Sequence, residues 1–185
     1  MKLLKNTNAL VTMAMLCAIS LVLVALIRFP LFPAAAFLEY DPADIPIIIG
    51  TFLFGPVAGL IVTAVVSAIQ AMTVSAGSGW IGGLMHFFAT GSYVLVAGLV
   101  YSHRKTTGEA ILAMTLGVLA MTATMVLWNL LFTPIFMGVP RQVVVGMLVP
   151  VIIPFNLLKA GINSIIAFAV FKALHPVVKK DVFGV

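Results

Sequence analysis

Apolar residues run along this chain in long blocks instead of the alternating or one-sided patterns of a water-soluble fold. The first block, Asn8 to Ile27, holds about twenty residues, and at about 1.5 Å per residue such a helix matches a hydrocarbon core of about 30 Å. The second, Ile45 to Phe54, stops at Gly55-Pro56 and covers only about 15 Å as a helix, so it spans only if part of the preceding loop joins it. A third begins at Pro56, where a proline suits the first helical position, and runs to about Val74. The fourth runs from Trp80 to Tyr101, the fifth from Ala110 to about Phe132 and the sixth from about Pro150 to Ala173. Trp80, Tyr101 and Trp128 stand near segment ends, where headgroups favour aromatic rings. The pattern predicts an all-α integral membrane protein: one domain over residues 1–185, built as a compact bundle of six transmembrane helices.

Composition agrees. Hydrophobic residues make up 63% and charged residues 8% of the 185, with a mean hydropathy of +1.24, against about 25% charged in ordinary soluble domains. In the six-segment arrangement Lys2, Lys5, Arg104, Lys105, Lys172, Lys179 and Lys180 fall on one side, leaving only Arg28 and Arg141 near the other. The positive-inside rule then makes both termini cytoplasmic, with the chain in a cell membrane. The net charge of +5 needs no nucleic acid; anionic lipid of the inner leaflet is the simpler partner. A signal peptide is disfavoured because the first block exceeds an h-region of about 7 to 15 residues and Pro30 and Pro33 intervene before the next block. One cysteine, Cys17, excludes an internal disulfide, and His86, His103 and His175 show no zinc spacing, so neither a metal nor a cofactor is indicated. The chain carries no G-x-x-x-x-G-K-[ST] sequence, so it contains no ATPase of that type.

Against this background a few polar residues stand out. Lys159 lies well inside the sixth segment, where a lone lysine costs about 2.5 to 3.5 kcal/mol. Asn156, Lys159 and Asn163 share one helix face at spacings of three and four. Asn129, Gln70, Thr73 and His86 fall in the outer half, where the loop Phe29 to Ala43 also lies, shaped by Pro30, Pro33 and Pro42. These positions predict a pocket that opens outward and is covered by the loop, with Lys159 as its deepest ionisable group and no compensating carboxylate. Within that scheme His86 reads as a packing histidine, Asp44 as the cap of the helix that starts at Ile45, and Glu39 and Asp41 as outer-loop charges. Gly77-Ser78-Gly79-Trp80-Ile81-Gly82 fits G-x-G-x-x-G, but without a preceding strand it reads as a turn. Ala14-Met15-Leu16-Cys17-Ala18 is a small-xxx-small face suited to close helix approach.

The loop Phe37-Leu38-Glu39-Tyr40-Asp41-Pro42-Ala43-Asp44-Ile45-Pro46, the Phe54-Gly55-Pro56-Val57-Ala58-Gly59 turn, the Ala14-x-x-x-Ala18 face and Asn156-Leu157-Leu158-Lys159 together resemble the S components of energy-coupling factor vitamin transporters, most closely their riboflavin-binding branch. The resemblance implies substrate contacts at Leu38, Asn129, Asn156 and Lys159. It also implies that Ala14 and Ala18 dock on a membrane coupling subunit driven by two cytosolic ATPases. On this reading the chain is no enzyme and has no catalytic residue; riboflavin is its transported ligand, not a cofactor. The uncharged vitamin, a planar apolar ring with a polar edge and a hydroxylated tail, suits apolar walls with a few convergent donors and acceptors. An S component for pantothenate or thiamine is the nearest alternative. A membrane enzyme lacks a Ser-His or paired-carboxylate constellation within the segments, and a self-contained transporter lacks a relay of buried acids and an inverted repeat.

Overall fold

The computed structural model describes residues 6–183, with the side-chain surroundings of Ala34 and of 175–183 left aside. Lys2 and Lys5, and the side chains of His175, Lys179 and Lys180, therefore lie outside the described residues. Among the described residues the protein is all-α apart from one short hairpin. Helix α1 (Thr7–Leu26) starts where the Asn6 side chain accepts the Ala9 N–H at 3.2 Å, satisfying one of the donors a helix start leaves unpaired. It buries Ala9, Met13, Leu16, Ser20 and Val24, spaced three and four apart, and leaves Val11, Ala14, Met15, Ala18 and Val22 exposed on its other side.

The following loop is a folded unit. Strands β1 (Phe29–Pro30) and β2 (Glu39–Tyr40) pair antiparallel, Phe29 opposite Tyr40, around a 3₁₀ turn at Pro33–Ala35. Helix α2 (Asp44–Phe54) takes no loop residues into its length and is buried from Asp44 to Phe52, so it is a short core helix, about 16 Å long, among its longer neighbours. Gly55, at φ 94°, turns the chain into α3 (Pro56–Met72). A Cβ at Gly59 would stand 2.1 Å from Thr51 Oγ1 and one at Gly98 2.8 Å from Pro56, so glycines let α2, α3 and α4 touch.

The Gly77 to Gly82 run is a turn, as expected: a 3₁₀ segment at Ala76–Ser78, then the start of α4 (Gly79–Arg104). Lys105 in the left-handed region separates α4 from α5 (Thr107–Met137), which Thr106 caps through the Glu109 N–H. Helix α5 runs through Pro134 to Met137, five residues beyond the expected end, and is stopped by Gly138, φ 66°; a proline removes one donor but does not by itself supply the turn that a left-handed glycine does. The last apolar segment also begins early, with α6 (Arg141–Met147) and one π-helical turn (Leu148–Ile152) before α7 (Ile153–Phe183). Pro150 and Pro154 have no N–H to give the ladder, and the backbone widens around them.

Four helical stretches among the described residues are long and apolar enough to cross a membrane: Thr7–Leu26, Ala76–Arg104, Thr107–Met137 and Arg141–Leu174. Helices α2 and α3 are apolar but shorter. The main core runs through the bundle, and toward the end away from the hairpin Phe52 stacks on Tyr101 at 4.6 Å and meets Phe171 edge-on at 5.4 Å. These rings place Arg104, Lys105 and Lys172 at one end of the bundle, away from the hairpin. A second core joins the loop to the far side of the site: Ala35 and Leu38 pack with Val144, Ile152 and Phe155.

Candidate ligand-binding cavity

Helix α7 supplies one wall at the hairpin end. Its Asn156, Lys159 and Asn163 lie on one buried face, as their spacing requires. Asn163 organises the loop: its Oδ1 accepts from the Tyr40 hydroxyl at 2.9 Å, and its Nδ2 donates to the Asp41 carbonyl at 3.1 Å and to Asp44 Oδ2 at 3.3 Å. Burial, reinforced by the Asp41 carboxylate, pushes the Tyr40 phenol up, which keeps it a donor. Lys159 Nζ donates to Asp41 Oδ2 at 2.7 Å. The expectation of a lysine without a compensating carboxylate is thus corrected. A buried ammonium keeps its charge at tolerable cost only beside an opposite one, and the loop folds inward to provide it.

Asp44 departs from expectation as well. Ala43 precedes the helix, and the loop-to-helix turn is held by Asp41 Oδ1 accepting the Ala43 N–H at 3.1 Å. The Asp44 side chain points into the bundle, where Oδ1 accepts from Thr90 Oγ1 at 2.7 Å and lies 3.4 Å from His86 Nε2 without the alignment of a hydrogen bond. His86 Nδ1 meets Ser67 Oγ at 2.7 Å. At the mouth Arg28 pairs with Glu39 and also reaches the Val74 carbonyl and Ser75 Oγ, tying the hairpin to the α3–α4 turn.

These groups border a cavity with about 930 Å³ of free space, its open mouth included. Leu38, Asn156 and Lys159 line it, as do the apolar side chains of Phe37, Met85, Met121, Met125, Phe136 and Phe155. Asn129 does not: its Nδ2 donates to the Met125 carbonyl and its Oδ1 accepts from Thr133 Oγ1, both at 2.8 Å, so its own turn holds the amide one layer behind Met125 and Thr133, which do line the cavity. Asn156 likewise donates to the Ile152 carbonyl of the π turn, yet it faces the cavity. Ala14 and Ala18 lie on the exposed face of α1 and take no part in this site.

Sequence reasoning placed Gln70 and His86 near the loop but gave Gln70 no role of its own and His86 only a packing role. Both line the cavity, and Gln70 Nε2 and His86 Nε2 are buried without a hydrogen-bond partner. The inward acids were also missed. The signal was present in Asp41-Pro42-Ala43-Asp44 running directly into the wholly apolar start of α2, which leaves the carboxylates no length of chain to return to water.

A helical membrane protein whose one end is closed by a packed hairpin over a cavity of mixed polarity has the architecture to hold a small molecule there. Residues 8–171 match the model of the ECF transporter substrate-specific component, and the chain belongs to that family. It is 29% identical to the riboflavin transporter RibU of Staphylococcus aureus over 95% of both chains. Against RibU of Streptococcus thermophilus identity is 31%, covering 91% of this chain and 82% of the other. The riboflavin transporter FmnP of Bacillus subtilis is 26% identical over 95% and 96% of the two. A solved structure described as the S component of a bacterial ECF transporter superposes with a TM-score of 0.79 at 30% identity, over 92% of this chain and 96% of that one.

Proposed function

We propose that this protein binds riboflavin from outside the cell and delivers it inward as the S component of an energy-coupling factor transporter. The observation that carries the ligand is the set of three riboflavin transporters that each align over more than nine-tenths of this chain. The cavity supports it: apolar side chains suit a flat ring, and Asn156 and Lys159 suit its polar edge. Leu38 supports the ring from the loop, and Asn129 contributes either by turning its amide inward or by holding Thr133 in place. A ligand carboxylate, as in pantothenate, is disfavoured because Lys159 is already neutralised by Asp41 and a second carboxylate, Asp44, lies close by.

The bundle crosses the membrane six times with α2 and α3 as its short members, and both termini are cytoplasmic. Arg104, Lys105 and Lys172 at the end away from the hairpin support that orientation. The loop over residues 29–43 is the lid, latched by Asp41 on Lys159 and Glu39 on Arg28. The exposed Ala14 and Ala18 form the contact with the membrane coupling subunit, whose two cytosolic ATPases supply the energy.

Titrating riboflavin into the purified protein tests the ligand: saturable quenching of flavin fluorescence is expected, and its absence overturns the reading. Vesicles holding this chain alone should retain riboflavin without ATP-driven accumulation, and active uptake there would overturn the division of labour.

A further inference from the structure

Among the described residues, Gln70 is a buried polar side chain that the folded protein leaves unserved. It sits at the end of α3, 4% exposed, lines the cavity, and its Nε2 has no hydrogen-bond partner. Its position is fixed, because its carbonyl accepts the N–H groups of Thr73 and Ser75 as the helix ends. Close approach of α3 and α4 holds the wall rigid: a Cβ on Gly83 would lie 2.7 Å from that of Ala71. One turn below Gln70, Ser67 meets His86 Nδ1, and His86 Nε2, 3.4 Å from Asp44 Oδ1, is a second buried nitrogen that makes no hydrogen bond. Ser75 and Ser78, also lining the cavity, continue the polar row toward the mouth.

A buried amide nitrogen without a partner costs free energy, while an apolar residue of equal size in its place would cost none. Its place in a preformed cavity therefore points to a ligand group that completes it. The charges nearby are already assigned: Asp41 to Lys159, Glu39 to Arg28, and Asp44 to Thr90 and Asn163 with His86 beside it. What is left is the Gln70 carboxamide nitrogen and His86 Nε2, followed by the hydroxyls of Ser78 and of Ser75, the latter already accepting from Arg28. An extended chain of hydroxyls, each both donor and acceptor, is the chemistry that such a row serves.

We infer that Gln70, seconded by His86, holds the hydroxylated tail of the substrate and so determines selection for a polyhydroxylated ligand over its bare ring. The inference rests on the riboflavin reading, which assigns the ring edge to α7 and leaves the tail to the α3–α4 wall.

The test measures affinity for riboflavin and for lumiflavin, the same ring with a methyl in place of the tail, together with the melting temperature of the ligand-free protein. Gln70→Leu should weaken riboflavin by about three- to tenfold, leave lumiflavin unchanged and keep or raise the ligand-free melting temperature. Ser67→Ala, which frees the His86 ring, should follow the same pattern more weakly. Equal loss for both flavins, or unchanged riboflavin affinity, overturns the assignment, as does a lower ligand-free melting temperature with native affinity. If the unsubstituted protein binds no riboflavin, the functional reading fails first and takes this one with it; if it binds and Gln70→Leu does not discriminate, only this one fails.

Discussion

The two ends of the bundle are built on different principles. Away from the hairpin, Phe52, Tyr101 and Phe171 interlock and glycines bring helix backbones into contact; lipid tails are as apolar as these side chains, so packing quality holds that end together. At the hairpin end, Lys159, Asp41, Asp44 and Asn163 are buried together, and the loop is fastened by charge and hydrogen bonds as well as by its own small core. One end is a scaffold that gains by being dense. The other holds groups whose burial costs free energy unless they are paired, and their pairing closes the loop over a cavity.

The largest expected effect separates these principles. Lys159→Met leaves the Asp41 carboxylate buried and alone, and breaking a buried pair by removing one partner costs about 3 to 5 kcal/mol. From sequence alone the same substitution, removing an unpaired charge from a membrane interior, is expected to be neutral or slightly stabilising. The pair reverses that sign. Asp41→Asn combined with Lys159→Met should recover most of the thermal stability but not the riboflavin affinity, because the ligand donor stays missing. Melting curves and flavin titration on the two samples check this; a single variant as stable as the unsubstituted protein would remove the pair from the architecture.

Next in size, Phe52→Ala at the packed end should cost about 3 kcal/mol, the lower end of the range for buried Phe→Ala, since the reference is lipid instead of water. The protein that remains folded should bind riboflavin with native affinity. A matched loss of affinity would show that the two ends are coupled and that the comparison is too sharp.

How far the sequence carried the reading follows the same division. Helix positions were legible because unbroken apolar runs and Gly55-Pro56 act locally, and the α7 polar face because 3.6-residue periodicity fixes it. The hairpin, the inward turn of Asp41 and Asp44, and the start of the last segment at Arg141 were not. Each depends on a partner distant in the chain: Lys159 and Asn163 for the acids, Val144 and Ile152 for the loop. Asn129 shows the opposite failure. It lies beside the cavity wall, yet whether an amide faces a cavity or its own helix is decided by close neighbours, the Met125 carbonyl and the Thr133 hydroxyl.

A smaller effect is expected at the join between loop and site. Leu38 is buried against Phe155, Ile152 and Val144, so Leu38→Ala should loosen the closed loop by about 2 kcal/mol and speed riboflavin dissociation about thirtyfold, with association changed far less. Stopped-flow exchange measures both rates. Unchanged dissociation would make the loop a fixed wall and not a lid.

The smallest effect on the isolated protein should come from Ala14 and Ala18, and for that reason they sharpen the comparison most. Both are exposed on α1, opposite the face formed by Met13, Leu16 and Ser20, and neither borders the cavity. Replacing both with Leu adds apolar bulk where the surroundings are lipid, so stability should move by less than about 0.5 kcal/mol and riboflavin affinity not at all. Two small residues a turn apart let a partner helix approach backbone to backbone, and added bulk on that stripe forces the helices apart. Reconstituted with an ECF module, the double variant should bind riboflavin normally and transport little. Full transport would move the partner contact to another face, whereas lost binding would mean that the outer face of α1 and the cavity are not independent.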